Sequence, residues 1–288
     1  MLDDQIVILC GGMGTRVQSI IGNQPKILMK IFNKSFLEIQ LEHYYDEGFR
    51  NFFYIVGHGG DQVIKKLLSL QNQYSDVNIK YHSEGEIRLG TGGSILSCEH
   101  LINDKFILTY GDNFLRLNFK KFSNTFKSST KNFMTLYKNS DLIEPSNIKC
   151  DEFQNKILAY DKENKDNNFK HIDYGFFGVV KKDFIKAAPS NACFDLKEFI
   201  QSTIKENKIL PFFTKKRFYD IGNINAIKEF TNFYEEYNFN NSNRIWFRKF
   251  TNFTRDIRDS LRNNSSNIYT ITIINTTDSI LFYYSFFW

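Results

Sequence analysis

Five short apolar runs punctuate the chain: "QIVIL" (5–9), "FFYIVG" (52–57), "FILTYG" (106–111), "FMTLY" (133–137) and "YGFFGVV" (174–180). Each is rich in β-branched and aromatic residues and is bounded by glycine or polar turns, the pattern of a buried strand. Between them apolar positions recur at helical spacing in "FLEIQLEHYYDEG" (36–48), "DQVIKKLLSL" (61–70), "GGSILSCEHL" (92–101) and "DLKEFIQSTIKEN" (195–207). Strands alternating with helices predict an α/β fold, with a mainly parallel sheet covered by helices on both faces. Ligands gather beyond the carboxyl ends of such strands. "ILCGGMGTRVQSIIGNQPKILMKI" (8–31) and "TYGDN" (109–113) both lie at such ends.

The pattern changes late in the chain. "YDIGNINAIKEFTNFYEEY" (219–237) reads as a closing strand end and a helix, after which residues 238–288 turn rich in Asn, Ser and Thr and hold no sustained period. We expect a catalytic unit at 1–237 and a C-terminal extension at 238–288, either an accessory segment for docking or homo-oligomerisation or a loosely structured tail.

With 288 residues, 42 % hydrophobic and 24 % charged, the chain is ordinary for a globular protein with a sizeable core. The net charge of +5 narrows the function: residues 239–288 carry six Arg/Lys against three Asp/Glu, which leaves +2 for the rest. That field is too weak to argue for a nucleic-acid partner. Cys10, Cys98, Cys150 and Cys193 are scattered without a CxxC pair and are expected as buried thiols in a reducing compartment. "MLDDQIVIL" lacks the basic start and long apolar run of a signal peptide, and no apolar stretch reaches bilayer length, so a cytoplasmic location without a membrane span is expected.

Candidate chemistry begins at the first turn. Gly11, Gly12 and Gly14 follow a strand and precede a helix, which presents backbone N–H groups to an anion and lets phosphate oxygens approach where a Cβ would intrude. The turn is neither a P-loop nor the dinucleotide fingerprint, whose third glycine would fall at Val17. Arg16 and Lys26 stand close behind it, the lysine after a proline that forces an extended approach. A bidentate guanidinium and a point-charge ammonium together fit a triphosphate attacked at its α-phosphorus.

A second glycine turn, "EGEIRLGTGGSIL" (84–96), gives Gly90, Gly92 and Gly93 close access to a base or ribose and adds the Thr91 hydroxyl; the same pattern also serves as a plain helix start. Asp112 and Asp220 follow strand ends and suit Mg²⁺, which takes one or two protein carboxylates plus substrate phosphates. Lys162 stands ready for an acceptor phosphate, and Tyr174 and Gly175 either line an acceptor pocket or pack. The five histidines form no HExxH-like cluster and no nucleophile elbow is present, which favours direct in-line displacement on phosphorus.

In order and spacing, "GGMGTR", "QPK", "LGTGGSI", "YGDN", "DYGFFGV" and "YDIG" resemble the sugar-phosphate nucleotidyltransferases, or nucleotide-sugar pyrophosphorylases, over about residues 5–237. The resemblance implies a single Rossmann-like α/β domain of the nucleotide-diphospho-sugar transferase type. It also implies transfer of NMP from an NTP to a small phosphorylated acceptor with Mg²⁺, releasing pyrophosphate and giving an NDP-sugar for surface polysaccharide. Under it Gly11, Gly12, Gly14 and Thr15 hold the nucleotide phosphates, Arg16 and Lys26 act on the transferring phosphates, Gly90, Thr91, Gly92 and Gly93 read base and ribose, and Asp112 and Asp220 carry metal. Lys162 falls where many members have Glu-Lys-Pro, here Asp161-Lys162-Glu163.

"GNQPKILMKIFNKSFLEIQLE" is most similar to the heptose-1-phosphate guanylyltransferase branch, whereas "TYGD" resembles cytidylyltransferases, so GTP and CTP both stand as substrates. Two other readings remain: a CTP-dependent enzyme acting on a phosphorylated amine or amino acid, and an inactive nucleotide- or sugar-binding regulatory module. The presence of Arg16, Lys26, Asp112 and Asp220 together counts against the last.

Overall fold

The computed structural model describes residues 1–12, 14–85, 88–163, 168–189 and 193–239, and the backbone of two later strands. They belong to two compact units, residues 1–231 and 232–288.

In the first unit the main elements are β1 (Leu2–Leu9), α1 (Phe36–Asp46), β2 (Phe49–Val56), α2 (Gly60–Gln73), β3 (Asn78–Ser83), α3 (Gly90–Ser97), β4 (Lys105–Tyr110) and α4 (Phe119–Lys127). There follow β5 (Asn132–Lys138), β6 (Ile148–Asp151), β7 (Lys156–Tyr160), β8 (His171–Val180), α5 (Lys181–Ala187), α6 (Leu196–Lys205) and β9 (Ile209–Thr214). A last helix runs over 224–239.

The nine-stranded sheet has the order β7-β6-β8-β4-β1-β2-β3, with β5 and then β9 joined to β8. Strands β4, β1, β2 and β3 are parallel, β9 is parallel to β5, and β8 pairs antiparallel with β4, β5 and β6. With β7 antiparallel to β6, only β7 and β8 run against the common direction, so the mainly parallel α/β fold read from the sequence holds.

Strand β1 lies between β2 and β4, and Ile6, Val7 and Ile8 are fully buried. A strand covered on both faces shows continuous apolar residues instead of alternation, which is why "QIVIL" was readable. On one face Val7, Phe53, Ile55 and Leu108 join Phe184, Phe199 and Ile200 in a single core. The other face is aromatic: Phe119 lies edge-on to Tyr44 and Phe176 at 5.6 and 5.4 Å between ring centroids, and Phe122 meets Phe176 at 4.9 Å.

Helix α2 buries Val63, Leu67 and Leu70, one stripe at helical spacing. Helix α1 starts at a capping box, in which Ser35 N–H donates to the Glu38 carboxylate at 2.7 Å and Glu38 N–H to the Ser35 hydroxyl at 3.4 Å.

The second unit contains an antiparallel strand pair, Tyr269–Asn275 with Ile280–Phe286, in a region whose sequence holds no sustained period. Residues 240–268, much of the extension expected at 238–288, lie outside the described residues. Among the described residues no helix is long and apolar enough to cross a membrane. The expectation of buried thiols needs correction at two of the four cysteines. Cys10 and Cys98 are buried, and burial pushes the Cys98 thiol up to about 12, but Cys150 is half-buried and Cys193 exposed, because it stands in the loop before α6 and not in an element facing the core.

Candidate active site

A cavity of about 910 Å³ opens at the carboxyl ends of β1, β2, β3 and β4. Its walls come from the turn after β1 (Cys10, Gly11, Gly12), from Lys26, from the β2–α2 turn (Gly57 to Gln62), from Ser83, Glu84 and Gly85, from the start of α3, and from Tyr110, Gly111, Asp112 and Asp195.

The turns after β1 and β2 pack backbone against backbone. A Cβ on Gly57 would lie 2.9 Å from Gly11 Cα, so the two strand ends come together only because neither carries a side chain there. Gly14 adopts the left-handed conformation (φ 63°) and starts a single helical turn, Thr15–Val17, anchored by buried Val17. Gly11 and Gly12 line the cavity; Gly14, Thr15 and Arg16 stand beyond its described wall. The Arg16 side chain is exposed and makes no hydrogen bond or ion pair among the described residues.

Pro25 holds an extended ψ of 133°, as its sequence context predicts, and aims Lys26 inward. Lys26 Nζ lies 2.5 Å from Asp112 Oδ2, with only 16 % and 31 % of the two side chains exposed. Asp112 in turn ties down the closing segment, its carbonyl accepting Ile221 N–H at 3.1 Å. Next to it a short antiparallel pair, Asn113–Phe114 with Tyr219–Asp220, sets Asp220 opposite Asn113.

Lys26 and Asp112 thus meet in the cavity wall, and Asp220, which does not line the cavity, lies near enough to feel both charges. The Asp220 carboxyl is pushed up first by burial and then by the negative charge of Asp112, against the Gly222 N–H that it accepts at 2.6 Å and the positive charge of Lys26. Two adjacent carboxylates served by one lysine leave negative charge to be neutralised. The hard oxygen donors of Asp112 and Asp220 fit a small divalent cation completed by substrate phosphates. No group of three or more His, Cys, Asp or Glu side chains able to hold a metal occurs among the described residues.

The second glycine turn divides in two. Gly90 and Thr91 line the cavity, but Gly92 and Gly93 N–H both donate to Phe194 O at 2.9 and 3.1 Å, and a Cβ on Gly92 would sit 2.4 Å from the Phe194 ring. These two glycines seat the segment before α6, and their N–H groups are not left for a base or ribose. Thr91 Oγ1 is engaged as well, accepting Leu196 N–H at 2.8 Å.

On the acceptor side Lys162 Nζ lies 6.0 Å from the centroid of the Tyr110 ring, at the cavity's edge. Tyr174 does not line the cavity: it is fully buried, edge-on to Phe218 at 5.4 Å, and its hydroxyl accepts Arg116 N–H and donates to Arg116 O, both at 2.8 Å. Alternation along β8 turns this side chain to the aromatic core. Gly175 (φ 69°) sits where β8 shifts register, and a Cβ there would lie 2.3 Å from Asn113 Nδ2, so it shapes the support under Asp112.

Sequence reasoning passed over part of the wall. "VGHGGDQ" (56–62) repeats the strand, glycine turn and helix of the first motif, a signal that would have found it. Glu84, Arg88 and Asp195 carry no comparable mark. Burial pushes the Glu84 carboxyl up, partly offset by the neighbouring Ser94 hydroxyl and His82.

A parallel sheet with glycine turns at adjacent strand ends, a lysine among carboxylates and a cavity of nucleotide size defines an α/β enzyme that handles phosphate esters. Residues 5–237 match the Nucleotidyl transferase family, and the chain belongs to it; it is a nucleotidyltransferase. It is similar to the D-glycero-alpha-D-manno-heptose 1-phosphate guanylyltransferase of Campylobacter jejuni, 28 % identical over 218 residues that make up 76 % of this chain and 94 % of that protein. Among solved structures, HddC from Yersinia pseudotuberculosis complexed with GMP-PN superposes with a TM-score of 0.67 at 24 % identity over 80 % of this chain and 99 % of that one. The inositol-1-phosphate CTP transferase from T. maritima reaches 0.63 at 21 % identity over 78 % and 92 %. These two share the fold.

Proposed function

We propose that this enzyme transfers NMP from an NTP to a sugar 1-phosphate, releasing pyrophosphate and giving an NDP-sugar for surface polysaccharide. The observation that carries the reading is the Lys26–Asp112 ion pair in the wall of a cavity formed by glycine turns, with Asp220 close enough to feel both charges. The catalytic unit is residues 1–237, working in the cytoplasm where NTPs are made, and the extension stands outside it.

The acceptor phosphate is already ionised, so its oxygen needs no general base to attack the α-phosphorus. Positioning and charge stabilisation carry the reaction. The triphosphate lies along Gly11, Gly12 and Gly14. Lys26 contributes a point charge at the reacting phosphate. Arg16, with no partner among the described residues, folds back over the leaving pyrophosphate, and Lys162 meets the acceptor phosphate beside Tyr110. Asp112 and Asp220 would hold Mg²⁺, which supplies charge neutralisation for the triphosphate when bound.

The test is pyrophosphate release from the purified chain with Mg²⁺, each NTP in turn, and a panel of sugar 1-phosphates and non-sugar phosphates. Release with sugar 1-phosphates supports the reading. Release only with CTP and a phosphorylated amine or amino acid replaces it, and release with none of them overturns it.

A further inference from the structure

The two strands of the second unit, Tyr269–Asn275 and Ile280–Phe286, pair antiparallel with each other and with no other strand among the described residues. Successive residues of a strand alternate between faces, so the register of this ribbon sorts them. Tyr269 stands opposite Phe286, Ile271 opposite Tyr284 and Ile273 opposite Phe282, and all six share one face. The last pair on that face, Asn275 with Ile280, lies beside the turn. The other face sets Thr270 opposite Ser285, Thr272 opposite Tyr283 and Ile274 opposite Leu281. One face is therefore apolar and aromatic along most of its length, and the other largely hydroxyl-bearing.

A two-stranded ribbon is marginal by itself in water and needs a further layer over its apolar face. The sequence narrows what that layer is. Within residues 263–288 Asp278 is the sole charged side chain, so the ribbon offers no Lys or Arg to an anionic lipid surface. The family match ends at residue 237, so the ribbon is an addition to the catalytic unit that relatives share. An uncharged face meets a copy of itself across a two-fold axis without like-charge repulsion. The area is sufficient as well. An aromatic side chain buries about 150–250 Å², so the aromatic residues of two such faces supply more than the roughly 1,000 Å² a specific interface needs.

We infer that the ribbon is a homodimerisation element: the apolar faces of two copies pack on each other about a two-fold axis as a four-stranded sandwich. Pairing edge to edge would leave both apolar faces in water. Packing face to face, with the ribbons about 10 Å apart, covers both at once and leaves the threonine-bearing faces outward. The extension then carries the association of the enzyme, and the unit at 1–231 its chemistry.

The experiment is sedimentation equilibrium on the full chain from nanomolar to micromolar concentration, repeated with Phe282→Lys, Phe282→Leu and Thr272→Lys. The unaltered chain should be a dimer at micromolar concentration. Position 282 lies within the apolar face, where a lysine must bury its charge or leave the interface, so Phe282→Lys should raise the dimer Kd about 100-fold or more. Phe282→Leu keeps the face apolar and should stay dimeric, as should Thr272→Lys on the opposite face. A monomeric unaltered chain would overturn the inference, and its capture by phosphatidylglycerol vesicles would assign the face to a lipid surface instead. A dimer that Phe282→Lys does not weaken, or that Thr272→Lys weakens as much, would overturn it too. None of these outcomes touches the transferase reading, which pyrophosphate release tests separately.

Discussion

Asp220→Asn separates the cost of building this site from its use. The Asp220 carboxyl is held up by burial and by the charge of Asp112, so ionising it in the folded protein works against stability. The sign follows from linkage: a carboxyl whose folded pKa is raised binds its proton more tightly when folded. The folded state is then favoured at low pH and loses stability as pH rises from the ordinary carboxylate value of 3.8 through the raised one.

Asparagine is nearly isosteric and removes that charge. Its Oδ1 still accepts Gly222 N–H, now at 2.6 Å, and its Nδ2 donates to Glu144, which already shares a hydrogen bond with Asp220. The attraction of Lys26 for the carboxylate is lost, but Lys26 keeps Asp112 at 2.5 Å. We expect the variant to gain about 1 kcal/mol at neutral pH, a rise of roughly 2–4 °C in Tm for a unit of this size, and to lose stability less steeply above pH 4.

Turnover should move the other way, falling about 100-fold or more, near 3 kcal/mol in the transition state, because a cation donor is gone. Thermal melts from pH 4 to 8 and kcat/KM from pyrophosphate release give both quantities on one preparation. A variant less stable than the parent yet fully active would refute the reasoning and make Asp220 a structural residue.

Three further substitutions test the assignments around it. Tyr174→Phe removes a hydroxyl paired with both Arg116 backbone groups and should cost about 1–3 kcal/mol in denaturant unfolding while leaving KM for the acceptor unchanged; a raised KM would restore Tyr174 to the acceptor pocket. Gly57→Ala drives a Cβ to 2.9 Å from Gly11 Cα, and with backbone on both sides it should cost about 1–3 kcal/mol in denaturant unfolding and weaken nucleotide binding measured by calorimetry. His43, on the buried face of α1 with its Nε2 2.6 Å from Leu115 O, has its pKa lowered to about 4 by burial. The unfolded chain takes up that proton first, so stability should fall as pH drops from 6.5 to about 4, by on the order of 3 kcal/mol. The slope should flatten in His43→Gln; an unaltered slope would mean that another group governs it.

The parts of this protein legible in its sequence are those fixed by local chemistry. "QIVIL" and "FILTYG" read as strands because two-sided burial leaves continuous apolar runs, and Gly11, Gly12 and Lys26 read as a phosphate site because a strand, a glycine turn and a proline-presented lysine have few other uses together. Strand β3, "NIKYHS", was not readable: it is an exposed edge strand, held by backbone pairing to β2 that any side chains would permit.

Which groups meet was decided by chain crossings that no local pattern records. The pair formed by Asn113–Phe114 and Tyr219–Asp220 brings two carboxylates together across more than a hundred residues, and the Phe194 ring claims the Gly92 and Gly93 turn for packing. Burial likewise decided that Tyr174, with its hydroxyl satisfied inside the core, packs and does not line the cavity. Sequence sets what each residue is able to do; whether its hydrogen bonds and charge are already satisfied depends on neighbours supplied only by the fold.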